Sequence, residues 1–170
     1  KRISMALTVA SDVEAPMTGE DGQPTAGSVH GIGFDTEFKF YKNDSLDMKA
    51  YVDVSGLFYT GGSSAGGALG VLVRANIEST STHVLRGRLE FRMSEPSFIP
   101  SYFDTTYRLG RLMAPSDAEI VTEPQTKLDL LNGLQQDPSR WGFYTELTYH
   151  LFRRFSVMAS YEDSGTFGDA

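Results

Sequence analysis

The chain contains no cysteine, so disulfide bonds and cysteine-based metal sites are excluded from the outset. It also lacks any long apolar run: hydrophobic residues make up 40% of its 170 positions, and its longest apolar stretches, such as Ala68 to Val73, are short and broken by glycine. A spanning helix needs roughly 18 or more continuous apolar residues, so membrane helices are excluded and a membrane reading survives only for a barrel, whose strands need alternate residues to be apolar. Basic residues are outnumbered, 15 Lys and Arg against 22 Asp and Glu, and the net charge of −7 argues against a nucleic-acid partner. Neither an initiator Met nor a leader precedes the strand-like pattern that begins at Lys1. For an exported protein the expectation is a processed form or an internal piece of something longer.

What is abundant is glycine, at 17 residues, and aromatic residues, at 12%. That mixture suits many strands joined by turns, and period-two alternation runs through most of the chain. In the first strand Ile3, Met5, Leu7 and Val9 share a face; the polar stretch Ser11 to Gly27 that follows reads as a long loop. A second strand, Val29 to Tyr41, sets Ile32, Phe34, Phe38 and Phe40 against Asp35, Glu37 and Lys39. After a turn at Lys42–Asp44, a third strand from Ser45 to Tyr59 sets Met48, Val52, Val54 and Phe58 against Asp47, Lys49 and Asp53. Thr60 to Gly67 reads as a Gly/Ser loop. The fourth strand opposes Leu69, Val71 and Val73 to Arg74, and after a short turn at Ser79–Ser81 the fifth opposes Leu85, Leu89, Phe91 and Met93 to Arg86, Arg88, Glu90 and Arg92.

Residues 94–140 form a long irregular region holding five prolines. Lys127 to Gln135 is expected to be a short helix, because Leu128, Leu130, Leu131 and Leu134 recur at helical spacing; Tyr102 to Met113 has the alternative of a further strand. A final hairpin alternates Trp141, Phe143, Leu147 and Tyr149 with Glu146 and His150, turns at Arg153 and Arg154, and continues through Phe155, Val157 and Tyr161.

Three features suggest an up-and-down transmembrane β-barrel, or a portion of one, occupying residues 1–170 with 94–140 as a loop or plug-like insertion. The strands exceed the five or six residues usual in soluble sheets and match a tilted bilayer crossing. The expected links alternate long and short, as between outer loops and periplasmic turns. Aromatics gather near strand ends, Phe40, Tyr41, Phe152 and Phe155 at one end and Phe58, Tyr59, Trp141, Phe143 and Tyr161 toward the other, as interfacial girdles do. About seven strands are discernible, whereas single-chain bacterial barrels use an even number of eight or more, so an incomplete barrel is expected.

In such a barrel the charged face lines the lumen, which assigns Asp35, Glu37, Lys39, Asp47, Lys49, Asp53, Arg74, Arg86, Arg88, Glu90, Arg92, Glu146 and His150 to it. Folding about Asn43 sets Lys39 opposite Asp47 and Glu37 opposite Lys49; the next hairpin can bring Asp53 near Arg74 and Lys49 near Glu78. The run Arg86, Arg88 and Arg92, with Arg74 nearby, could attract anions in a pore, unless acids such as Glu90 neutralise it. In the long insertion, Phe98, Ile99, Tyr102, Phe103 and Tyr107 are too apolar to remain solvated and mark a candidate recognition surface.

The run Leu85-Arg86-Gly87-Arg88-Leu89-Glu90-Phe91-Arg92, the piece Ile99-Pro100-Ser101-Tyr102-Phe103-Asp104, and the hairpin from Trp141 to Asp163 resemble poorly characterised Gram-negative outer-membrane β-barrel proteins. The resemblance implies export, insertion into the outer membrane, a lipid bilayer and envelope proteins as partners, and no specific activity.

Enzymatic chemistry is not expected. Gly62-Ser63-Ser64-Ala65-Gly66 matches Gly-x-Ser-x-Gly, but a nucleophile elbow turns from strand into helix, whereas a strand pattern follows here, so a flexible loop is the reading. His30 falls on an apolar face, His83 in a short turn and His150 on the polar face, none placed beside Ser64. The acids Asp12, Glu14, Glu20 and Asp21 lack the spacing of a calcium loop, and Gly31 and Gly33 precede no helix. No metal and no cofactor are expected. The expected function is a pore or a structural part of an envelope complex; the alternative is a soluble lipocalin-like barrel binding an apolar ligand, in which the apolar face turns inward.

Overall fold

Side chains that alternate with period two can bury one face or wet one face of a sheet, and the chain uses this alternation throughout. In the computed structural model, seven strands form one antiparallel sheet in sequential order: β1 (Ile3–Thr18), β2 (Pro24–Lys42), β3 (Leu46–Tyr59), β4 (Gly62–Asn76), β5 (His83–Ser94), β6 (Arg140–Leu151) and β7 (Phe155–Thr166). A short helix, α1 (Lys127–Gly133), continues into a 3₁₀ turn over Leu134–Gln136. The structure describes residues 2–19, 23–77, 83–100, 102–103, 107, 126–152 and 154–167. The fold is all-β and up-and-down, and the sheet is not closed: β1 and β7 are its two edges.

Several strands are longer than their composition suggests. The stretch Ser11 to Gly27 is not a long loop. β1 runs on to Thr18 and β2 starts at Pro24, with pairing interrupted by a bulge between Asp12 and Ala15 and resuming at Ala15↔Gly27. A bulge breaks strict alternation while keeping the ladder, and the prolines fall where a missing N–H is tolerated, Pro16 on an edge strand and Pro24 at a strand start. The Gly/Ser stretch 60–67 is likewise strand from Gly62, joined to β3 by Thr60 and Gly61, the latter at φ 110°. Only glycine adopts that conformation freely, and a side chain there would meet Asn132. The expected alternation of long and short links therefore does not hold, because the chain spends those residues on strand rather than loop; only 95–139 is long. The expected strand lengths do hold, from 12 residues in β5 to 19 in β2.

Between β2 and β3, Asn43 organises the turn by accepting hydrogen bonds from the backbone of Ser45 (3.0 Å) and Leu46 (2.6 Å). A bulge between Lys39 and Tyr41 moves the register, so Lys39 faces Lys49 and Glu37 faces Tyr51. The expected direct oppositions are thus replaced by diagonal ones. Further along, Asp47 rather than Asp53 faces Arg74, and Lys49 faces Leu72; Glu78 and the turn Ser79–Ser81 lie outside the described residues. His83 begins β5 instead of sitting in a turn. Tyr102 and Phe103 lie in a turn and Tyr107 in a helical turn, so these three are not strand; the rest of Tyr102 to Met113 lies outside the described residues.

The direction of curl follows from contacts between strands that are not neighbours. Arg88 on β5 reaches across β4 to donate to the Tyr51 hydroxyl on β3 (2.8 Å), and Arg92 reaches across β6 to Glu162 on β7 (3.1 Å). Long side chains two strands apart meet most readily on a concave face, and the buried Tyr51, Glu90 and Thr148 lie on this same side. Gly70, facing Tyr51 and Glu90 from β4, leaves the room for this, since a Cβ there would collide with the Tyr51 ring. The opposite, convex face carries the apolar set. Ile3, Phe38, Ala50, Val71, Leu89, Thr145 and Tyr161 form one continuous row across all seven strands. Phe34, Val52 and Leu89 stand exposed on it, and so do Leu7, at 68%, and Val157, at 72%. Phe40, Tyr41, Phe152 and Phe155 are exposed near the short-turn end. Two residues do not fit a girdle: Tyr59 faces the concave side and is buried, and Tyr161 pairs with Thr145 at mid-strand.

Candidate functional site

Cross-strand partners share a face, so the pairing places all thirteen of the expected charged and polar residues on the concave side. Its successive rows include Asp35–Asp53–Ala68–Arg92, Glu37–Tyr51–Gly70–Glu90–Tyr144–Glu162 and Lys39–Lys49–Leu72–Arg88–Glu146, followed by Asp47–Arg74–Arg86–Thr148 and, nearest the short turns, Val84–His150.

At the centre is Glu90, only 2% exposed. A carboxylate this buried needs charge compensation and hydrogen-bond donors, and it has both. Arg88 and Arg92 donate to it from either side along the same strand, and the Tyr51 hydroxyl donates to the same oxygen as Arg88. The two guanidiniums also lie over the Tyr144 ring, at 5.4 and 4.7 Å, and Arg88 over Tyr51 at 5.5 Å, a stacking that suits the planar guanidinium. Two of the basic residues expected to form an anion-attracting trio are therefore paired with carboxylates, Arg88 with Glu90 and Arg92 with both Glu90 and Glu162. Toward β2, Lys39 meets Asp47 at 2.9 Å and Lys49 meets Glu37 at 3.0 Å, both along the diagonal created by the bulge. Glu146 accepts from Tyr144 (2.8 Å) and Thr148 (3.2 Å). Tyr51 and Tyr144 are the residues that sequence reasoning did not single out as part of this network. Alternation placed both on the charged face, but nothing local showed that Gly70 would let Tyr51 lie flat between strands.

The second element is a small core that covers the concave face at the end opposite the short turns. Leu128 and Leu131 of α1 are buried against Ala15, Val29, Leu57, Tyr59 and Tyr102, with Met17, Phe98, Ile99, Phe103 and Tyr107 packed around them. The apolar residues of the insertion singled out in the sequence thus pack inward on the sheet. Two glycines admit them: a Cβ at Gly27 would meet Leu128 at 2.6 Å, and one at Gly31 would meet Phe103 at 3.1 Å.

Polar contacts latch α1 in place. Thr126 and Asp129 form a capping box, Thr126 Oγ1 accepting from the Asp129 backbone (3.1 Å) and Asp129 accepting from the Thr126 backbone (3.2 Å). Asp129 also accepts from the backbone N–H and the hydroxyl of Thr18, both at 2.9 Å. Burial alone would raise the Asp129 pKa, but these hydrogen bonds from Thr18 and Thr126 outweigh it and hold the carboxyl below its ordinary range. On the other side, Asn132 donates to Thr60 O (3.3 Å) and Gln135 to Gly61 O (3.0 Å). Beneath the helix, the Tyr107 hydroxyl donates to Asp12 at 2.8 Å. Burial followed by that hydrogen bond raises the Tyr107 pKa, and burial pushes Tyr102 up to about 12.

The candidates for catalysis and metal binding stay apart. Ser64 lies within β4, not in a flexible loop, and is buried opposite Leu57 with its hydroxyl unpaired. No helix follows it, so the elbow geometry is absent. His30 contacts Ser11 at 2.8 Å on the convex side, and His83 contacts Tyr149 at 2.5 Å. Among the described residues no three His, Asp or Glu side chains come together as a metal site; Glu20 and Asp21 lie outside them. No helix among them is long and apolar enough to cross a membrane.

Comparison with models of known protein families, with curated proteins and with solved structures finds nothing that matches this chain.

Proposed function

We propose that the chain forms the wall of a β-barrel in a Gram-negative outer membrane, acting as a pore or as a structural part of a cell-envelope complex. The observation that carries this reading is the convex face. From the tips of the short turns to the level of α1 it presents Leu7, Val54, Leu69, Leu89, Leu147 and Val157 to the surroundings. Outside the β1 bulge it bears no Lys, Arg or Glu among the described residues, with Asp163 near the rim as its one strand carboxylate. Soluble monomers rarely expose apolar patches of more than a few hundred Å², whereas a lipid-facing wall requires such a surface. The charged residues lie on the concave side, several of them in ion pairs, and suit an aqueous interior.

A lipocalin-like soluble barrel turns its apolar residues into a dry centre; here the concave centre is Glu90 with its two arginines. The small core around Leu128 and Leu131 covers one end of the concave face, which supports a narrowed or plugged interior over a wide channel. Heat-modifiable migration of the detergent-folded protein, together with stable incorporation into lipid vesicles that resists carbonate extraction, tests the reading. A protein that stays monodisperse in buffer without detergent and fails to enter vesicles refutes it.

A further inference from the structure

Most cations on the concave face are neutralised where they stand. Lys39 has Asp47, Lys49 has Glu37, Arg88 and Arg92 share Glu90 with Glu162 also on Arg92, and Arg140 meets Asp137 at 3.5 Å. Arg74 and Arg86 differ. They face each other directly across β4 and β5, both exposed, and neither makes a hydrogen bond or ion pair with another described residue. Like charges directly opposite on neighbouring strands are destabilising. Lys39 and Lys49 are opposed in the same way, but each is relieved by a diagonal carboxylate.

No ion pair of this kind reaches the arginine pair among the described residues, which do not include Glu78. The diagonal positions beside Arg74 on β3 are Ser45 and Lys49, and those beside Arg86 on β6 are Glu146 and His150. Glu146 accepts from the neutral hydroxyls of Tyr144 and Thr148 and, among the described residues, makes no ion pair with Arg86. Asp47 stands directly opposite Arg74, but Lys39 occupies its Oδ2, and its Oδ1 is buried without a partner rather than turned to the guanidinium. Lys42 stands at the end of the same row, beyond Asp47. Among the described residues, the short-turn end of the concave face therefore holds two adjacent guanidinium forks that no carboxylate bridges.

We propose that Arg74 and Arg86 bind a small oxyanion of the phosphate class. Facing residues on neighbouring strands have Cβ atoms roughly 4.5–5.5 Å apart, so two planar guanidiniums on flexible stems can close on one tetrahedral anion, each through paired N–H donors. A doubly charged anion offsets the repulsion between the two facing guanidiniums. The pair is on the face opposite the apolar one, which selects a free solute rather than a lipid headgroup. The site depends only on the sheet pairing, so it stands or fails independently of whether the convex face meets lipid.

The test is calorimetric titration of inorganic phosphate into the full chain folded in a non-ionic detergent, at ionic strength held constant with chloride. Saturable binding of one phosphate per chain is expected. Arg74→Gln and Arg86→Gln should each weaken it at least roughly tenfold, the loss of one charge-assisted bidentate contact. Arg154→Gln removes the same charge from an exposed turn at the same end and should leave affinity within about twofold, as expected for a long-range screened charge. Phosphate should also raise the unfolding midpoint of the wild type but not of the Arg74 or Arg86 variants. Absence of saturable binding, or equal weakening by Arg154→Gln, overturns the proposal. Because both arginines are exposed and make no ion pair among the described residues, their variants should fold, and either one alone suffices for the comparison.

Discussion

A pair of substitutions on one strand measures what surrounds the convex face. Leu89 lies near the middle of β5 and is 59% exposed; Met93, on the same face and strand, is 49% exposed. The two differ by four residues, roughly 13 Å along a strand at about 3.3 Å per residue, or about 10 Å of depth at a tilt of roughly 40°. Arginine at the bilayer midplane of a barrel costs about 2–4 kcal/mol, falling to about 0–1 kcal/mol near the interface. Leu89→Arg should therefore destabilise the protein by about 2–4 kcal/mol in lipid vesicles and Met93→Arg by at most about 1 kcal/mol. In water, both would be exposed surface changes worth within about ±0.5 kcal/mol. Reversible denaturant unfolding in phosphatidylcholine vesicles, followed through Trp141 fluorescence, reads the difference. If the two variants lose stability equally, the depth gradient is absent and the lipid-facing assignment of this surface is refuted.

The remaining predictions concern the concave side. Leu131→Ala, at a fully buried position of α1, should cost about 2–5 kcal/mol of local stability, seen as faster hydrogen exchange and proteolysis in residues 126–136 with the strand signal unchanged. Glu90→Gln leaves Arg88 without its carboxylate and Arg92 with Glu162 alone. It should cost roughly 2–3 kcal/mol in denaturant unfolding, below the 3–5 kcal/mol typical of a fully buried pair, because Arg88 and Arg92 are 35% and 39% exposed. The depressed pKa of Asp129 means that the folded state binds its proton less readily than the unfolded chain. Its contribution is then fully present above the ordinary carboxylate range and is lost as pH falls through the lower folded value. Acid should accordingly free α1 from Thr18, with exchange of the helix amides rising at low pH, and Asp129→Asn should remove that acid dependence.

The fold was legible wherever alternation ran unbroken. From Leu46 to Tyr59 and from Arg140 to Leu151 the expected strands coincide with the observed ones within a residue or two, because a half-lipophilic strand writes its two faces into every second position. It was illegible where a bulge or small residues interrupt that pattern. The Asp12–Ala15 bulge hid the end of β1, and Gly62 to Gly67 look like loop because nothing in them is large enough to declare a face. The same limit applies to the site. Parity alone placed Glu90, Arg88 and Arg92 together, but their partition into a closed cluster, and the isolation of Arg74 and Arg86, depend on register. A one-residue bulge beyond Lys39 and the missing side chain of Gly70 set that register and spacing, and neither can be weighed without knowing which strands are neighbours.

Strand direction has a consequence for how the two free margins of the sheet can be joined. Each neighbour reverses its predecessor, so the first and seventh strands point the same way. A seam made by zipping them directly together would be parallel, with slanted bonds slightly weaker per residue than those of the other six seams. A seam of the prevailing kind demands an odd number of inserted segments, whichever polypeptide supplies them. Each segment bordering the existing margins must run from the α1 end toward the short turns and keep its oily side outward. The handedness of traffic across the gap is thereby set by arithmetic before any side chain is chosen.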